Sequence, residues 1–333
     1  MGQVPNQQVP PAPTTWPSLP VSEWQPTRDT LLLWTQIVGK VRLAHSPLLN
    51  HWWNVPLYVT ARGLTTSLMW TDDGRGFQID FDFVAHQLDI ATSDGNRRTV
   101  ALEPRSVADF YGEVVARLEE LGVDPEIWTM PVEIDGAMPF EDDVEHRSYE
   151  RDQVEPFWRL LISSAQVFNE FRTTFVGKSS PVHLFWGALD LATTRFSGRG
   201  APLHGNGVPH CGPHVMQEAY SQEVSSFGYW PGGTEEGFFY SYAYPEPEGY
   251  RETPVAPAEA FYDAEIGEFL LPYRAVRTAD DPRRVLLTFL NSAYDAAADR
   301  GHWDRVFLDR ETPSWAPNSV ARTGPVSGMA PRR

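Results

Sequence analysis

The chain is poor in cysteine. Its one thiol, Cys211, rules out an intrachain disulfide and makes a reducing cytosol the natural compartment. Positive charge is scarce as well. With 27 Lys and Arg against 44 Asp and Glu, the formal net charge is -17, the wrong sign for a groove that binds a phosphate backbone. The one basic cluster, Arg322, Arg332 and Arg333, is too small for a nucleic-acid arm. No apolar run approaches the roughly 18 residues of a membrane span, and residues 1–17 lack the charged and apolar regions of a signal peptide. Catalytic signatures are missing too. There is no Gly-x-Ser-x-Gly, P-loop, dinucleotide Gly-x-Gly-x-x-Gly, EF-hand loop, His-Glu-x-x-His or paired Cys-x-x-Cys. The expectation is a soluble, cytoplasmic, acidic protein with no cofactor, no nucleic-acid partner and no membrane partner; its oligomeric state is left open.

What is present suffices for a large core: 333 residues, 41% hydrophobic and 13% aromatic. The stretch from Ser46 to Ser67 has a degraded copy from Ser180 to Gly198. Setting Trp53 on Trp186 brings Thr60 onto Thr193 and Arg62 onto Arg195, and Val38-Gly39-Lys40 has a counterpart in Val176-Gly177-Lys178. This order of landmarks predicts a tandem duplication. A three- and four-residue apolar period through Leu31, Trp34, Ile37, Val38 and Val41 predicts a helix capped by Thr27 or Asp29. Period-two patterns then predict strands over residues 53–62, 64–70, 77–83, 88–92 and 99–102, with another over 126–134 and a helix over 107–121 stopped by Gly122. In the second half a helix is expected over 157–175, a strand over 182–196 and a short helix over 216–223. Strands near 225–230, 238–244 and 268–273 follow, and then a helix from Val285.

The predicted fold class is α+β, an internally duplicated antiparallel sheet with helix, about five strands and helix per half and helices on one face, saddle-like or helix-grip-like. The expected division is a disordered Pro/Gln-rich terminus (1–15), a first half (16–135), an acidic linker (136–155), a second half (156–310) with a loop insertion at 197–214, and a disordered tail (311–333).

The strings NHWWNVPLYVTARGLTTS and SPVHLFWGALDLATTRFSG, with EAYSQEVSSFGYWPGG, YAYPEPEGY and GEFLLPY after them, resemble a bacterial family known as a domain of unknown function. The resemblance spans about residues 16–303. It implies no substrate, cofactor or catalytic residue, and it has no fixed His-Cys-x-x-His run after the His204 loop.

Three constellations stand out. Arg62 and Arg195, with Tyr58 nearby, could clamp an anionic ligand across a pseudo-dyad, because guanidinium forks fit carboxylate and phosphate; each could equally pair with a neighbouring Asp on a solvated face. Aromatic residues including Trp53, Trp186 and Tyr240, interleaved with His51, His183, Asp190, Glu218 and Glu223, have the mixed character of a small-molecule pocket, although most aromatics in a sheet are core. His204, His210, Cys211 and His214 contain metal-ligand types, but in a Gly- and Pro-rich loop that suits a lid better. The expected function is therefore binding of a small anionic or aromatic metabolite between the halves. Alternatives are a hydrolytic or metal-assisted enzyme using His and Glu of the second half, and a non-catalytic interaction module.

Overall fold

The computed structural model describes residues 15–205, 207–233 and 235–311. The Pro/Gln-rich residues 1–14 and the tail from residue 312, both expected to be disordered, lie outside the described residues. The described chain is α+β, with two six-stranded antiparallel sheets. No described helix is long and apolar enough to cross a membrane.

The first half opens with α1 (Val21–Ala44) and continues through β1 (Tyr58–Val59), β2 (Gly63–Thr65), β3 (Met69–Trp70), β4 (Gly76–Asp82), β5 (Gln87–Thr92) and β6 (Arg97–Ala101) to α2 (Val107–Glu120). Alternation over residues 77–81 of β4 buries Phe77, Ile79 and Phe81 and leaves Gln78 and Asp80 half-buried on the other face. The Ser106 hydroxyl caps α2 by accepting the Asp109 N–H, and Gly122 closes it in a left-handed conformation at φ +66°.

The second half repeats that order with α3 (Arg151–Arg172), β7 (His183–Phe185), β8 (Asp190–Gly200), α4 (Pro213–Ala219), β9 (Gln222–Trp230), β10 (Phe238–Tyr244), β11 (Phe261–Asp263) and β12 (Glu268–Pro272). Helices α5 (Tyr273–Arg277), α6 (Pro282–Arg300) and α7 (Arg305–Leu308) complete it. Both sheets are meanders: β1-β2-β4-β5-β6, with β3 on β4, and β7-β8-β9-β10-β12-β11. They meet edge to edge where Leu57 and Leu184 exchange two backbone hydrogen bonds of 2.9 and 2.7 Å. Cross-strand pairing puts Leu184, Leu191, Tyr229, Phe239 and Leu271 in one row on one face. That face packs on α3, where Phe168 and Phe171 meet Phe239 and Phe227. Each large side chain so buried contributes roughly 1.5–3 kcal/mol of transfer free energy.

Several expectations are corrected. Residues 53–62 are not one strand: a 3-10 turn, Asn50–Trp52, holds His51 at positive φ, and among them Tyr58–Val59 form a short strand with Leu57 bridging to Leu184. Residues 182–196 form a hairpin, because the chain reverses at Trp186-Gly187-Ala188-Leu189 with Leu189 at φ +60°. Residues 126–134 form no strand; Val132 instead exchanges backbone hydrogen bonds with the side-chain amide of Gln36. Helix α1 begins at Val21 with no side-chain cap and carries Pro26 inside it, and α4 ends at Ala219, where β9 soon takes over. The acidic linker is partly helical, since α3 already starts at Arg151.

The register of the repeat also differs. Leu64 pairs with Val59 and Phe81, and Leu191 pairs with Leu184 and Tyr229, so Leu64 corresponds to Leu191 and the buried Thr66 to the buried Thr193. Trp53 and Trp186 then fall in different places, one before β1 and one in the β7–β8 turn. Arg62 lies in the β1–β2 turn and Arg195 inside β8, so the two are not equivalent.

Candidate functional site

A cavity of about 920 Å³ opens on the face of the second sheet turned away from α3, and both halves line it. Its floor is built by strand alternation: Ala192, Gly228, Tyr240 and Leu270 form one cross-strand row, and Thr194, Ser226 and Tyr242 another. Gly228 is required there, because a Cβ at that position would lie 2.2 Å from the Tyr240 ring. The ring therefore lies flat across the strand, and its hydroxyl donates to Asp190 Oδ2 at 2.5 Å. Tyr242 and Tyr220 are joined through their hydroxyls at 2.8 Å.

The walls come from Lys40 and Leu43 of α1, the turn carrying His51, Trp52 and Trp53, residues 126–133, and residues 208–220. Side chains clamp these segments together. The Trp52 indole N–H donates to the Val215 carbonyl at 2.9 Å, and Glu218 accepts the His51 backbone N–H at 2.9 Å. His51 Nδ1 lies 3.0 Å from the Ala219 carbonyl and Nε2 lies 2.6 Å from Lys178 Nζ. These partners define a neutral ring: Nδ1–H donates to the carbonyl and Nε2 accepts from the ammonium. Burial and the Lys178 charge both lower its pKa, in agreement.

The ionisable groups facing this space are displaced from their ordinary values. Burial pushes Asp190 up to about 6. It pushes Glu268 up to about 7, with Asp190 and Asp263 adding repulsion. Glu133 is accessible from the cavity yet hemmed in by protein, so burial, with the Asp190 charge adding to it, pushes its carboxyl up to about 7. His183 has neither ring nitrogen paired, and burial, together with Arg172 and Arg42, drives it down to about 3. The three carboxyls can hold or move protons near neutral pH, whereas His183 stays neutral there.

Of the residues singled out in the sequence, His51, Trp53, His183, Trp186, Asp190 and Tyr240 line the cavity together. Glu218 stands behind it, holding His51. Tyr58 lies beside His183 at 6.4 Å, under the Arg42 guanidinium, and Glu223 turns away to Ser197 and Arg199. The expected arginine pair is not formed. Arg62 is exposed and pairs with Asp82 at 2.7 Å, whereas Arg195, 2% exposed, lies on the helix side with its guanidinium 3.5 Å from the Phe171 ring centre. The histidines of the loop are also dispersed: His204 stacks on Tyr220, while His210 and His214 line the cavity beside Cys211. Among the described residues no three His, Cys, Asp or Glu side chains are gathered for a metal. Sequence reasoning missed Lys40, Glu133 and Glu268. Lys40 carried a signal, as one half of the repeated Val-Gly-Lys; Glu133 and Glu268 carried none.

The corresponding face of the first sheet is an open polar hollow of about 660 Å³, lined by Thr65, Gln78, Asp80, Asp89 and Arg97. Among the described residues, aromatic segments roof the second copy and not the first.

No curated protein and no solved structure matches the chain. The model of DUF5996, a family of unknown function, matches residues 16–310. That match takes in both sheets and every segment that lines the cavity, and the chain belongs to this family.

Proposed function

We propose that the protein binds a small aromatic compound in the roofed cavity between its two halves. The reading rests on one observation: about 920 Å³ of space walled by Trp52, Trp53, Phe185, Trp186, Tyr240 and Tyr242, with Asp190 and Lys40 as polar contacts. Pockets of this size with aromatic walls and few polar groups suit small organic molecules. An anionic ligand held by paired guanidinium groups is no longer supported, because neither Arg62 nor Arg195 lines the space and Lys40 is its only Lys or Arg among the described residues. The single Cys211, with its thiol pushed up to about 11 by burial, suits a reducing, cytoplasmic setting and is a poor nucleophile. The net charge of -17 disfavours a nucleic-acid partner.

Native mass spectrometry of protein purified from its own host tests this reading. A co-purifying small molecule that is lost in Trp53→Ala and Tyr240→Ala supports it. A ligand-free protein whose tryptophan fluorescence responds to no aromatic compound in a broad screen counts against it.

A further inference from the structure

Lysine is almost absent from this chain. Of its 27 basic residues only two are lysines: Lys40 lines the cavity, and Lys178 stands behind it against the lining residue His51. Everywhere else arginine supplies the positive charge. Arginine cannot give up its proton, whereas a buried lysine can, so chemistry that needs a free amine requires lysine.

The two lysines differ in their surroundings. Lys178 is engaged, donating to His51 Nε2 at 2.6 Å and to Gln222 Oε1 at 3.1 Å. Lys40 lines the cavity and is 4% exposed. Its ammonium has no hydrogen-bond or ion-pair partner among the described residues; it faces the Trp128 ring, 4.7 Å from Nζ, and feels the nearby Cys211 thiol. Gly39 seats it there, because the bare backbone lets α1 close on the Trp186 indole, which a Cβ would meet at 2.3 Å. Desolvation lowers Lys40 to about 8, so roughly a tenth of it is unprotonated at pH 7 and about half at pH 8.

We propose that Lys40 is a nucleophilic amine that captures the carbonyl group of an aromatic aldehyde or ketone as an imine, an assignment that rests on the aromatic-ligand reading above. The Nζ lone pair attacks the carbonyl carbon, the C–N bond forms as the C=O π bond breaks, and one proton passes from nitrogen to the former carbonyl oxygen to give a neutral carbinolamine. A second proton, from a cavity carboxyl such as Glu133, lets that oxygen leave as water while nitrogen keeps the new double bond. No oxidant or reductant is consumed, and hydrolysis reverses the step.

The full-length protein is incubated with benzaldehyde and sodium cyanoborohydride, which reduces the iminium to a stable benzylamine. Intact-mass analysis and peptide mapping then locate the adduct. One benzyl group is expected on Lys40, formed at least tenfold faster than on Lys178 or the terminal amine, and absent from Lys40→Arg and Lys40→Met. The labelling rate in the wild type should rise with pH, pass its half-maximum near 8 and level off above that. Labelling confined to the terminal amine, or equal on both lysines, overturns the assignment. Saturable fluorescence quenching by benzyl alcohol and by benzaldehyde without reductant reads reversible binding separately. If that binding persists while Lys40 stays unmodified, the imine fails and the aromatic-ligand reading stands.

Discussion

Tyr240 reaches across Gly228 to donate a 2.5 Å hydrogen bond to Asp190, tying the middle of the second sheet to the strand beside the joint between the halves. The contact needs three residues in register: a glycine where a side chain would block the ring, a tyrosine on the next strand, and a carboxyl at the start of β8. It also explains how a carboxyl so poorly solvated is held in place, since the hydroxyl supplies the hydrogen bond that water would otherwise provide.

Substituting Gly228 should therefore damage the site more than the sheet. In Gly228→Ala the new methyl meets the Tyr240 ring at 2.2 Å, so the ring must turn out of the floor. A loss of about 1–3 kcal/mol in urea unfolding is expected from overpacking, with at least a tenfold loss of affinity for an aromatic ligand. Tyr240→Phe, which keeps the ring and removes the hydroxyl, should retain more affinity. Wild-type binding in Gly228→Ala would show that the ring does not form the floor.

The cavity groups give stability a pH dependence with two opposing slopes. Asp190, Glu133 and Glu268 have folded pKa values raised to about 6, 7 and 7, so the folded protein holds protons that the unfolded chain has released. Their effect is a loss of stability as pH rises from about 4 to about 7. His183, lowered to about 3, works the other way: its contribution is present above the unfolded value of 6.5 and is lost as pH falls toward 3. Urea titrations of single variants separate the two. Glu268→Gln should stabilise by about 1–2 kcal/mol at pH 8 and by little at pH 4. His183→Phe should flatten the acid side instead. A Glu268→Gln effect that does not depend on pH contradicts the assignment.

Much of the fold was legible because strands and amphipathic helices write their periods into the sequence. Phe77, Ile79 and Phe81 alternate with polar neighbours, and Val107, Phe110, Val114 and Leu118 form one helical stripe; both elements lie where those periods put them. The repeat was legible too, but its register was not. Matching Trp53 to Trp186 separates the copies by 133 positions, whereas Leu64 and Leu191 are 127 apart. That error of six is even, so it preserves the inside-outside phase of every strand and no alternation test detects it. The same error created the supposed Arg62–Arg195 pair. Cavity residues fell into two groups. Aromatic residues beside histidines advertised themselves, whereas Glu133 reaches the cavity from an irregular segment with no period to place it, and Glu268 looked like any charged strand residue.

The two arginines once paired by that register should behave in opposite ways. Arg195 is held on the helix side, donating to the Phe171 carbonyl at 2.5 Å and the Thr174 hydroxyl at 3.0 Å, with the Tyr294 ring centre 4.2 Å from its guanidinium carbon. Arg195→Ala removes a large buried side chain and leaves these partners unmet, and should cost about 2–4 kcal/mol. Arg195→Met, which keeps the aliphatic bulk without burying a charge, should recover much of that loss, since replacing a buried ion by an apolar group of similar size is often nearly neutral. Arg62→Ala breaks a pair whose arginine side is 58% exposed, and should stay within about 1 kcal/mol of wild type. Because neither side chain lines the cavity, ligand affinity should be unchanged in Arg62→Ala and in Arg195→Met, as measured by fluorescence titration on folded protein. A selective loss of affinity in both, with stability intact, would restore the anion clamp.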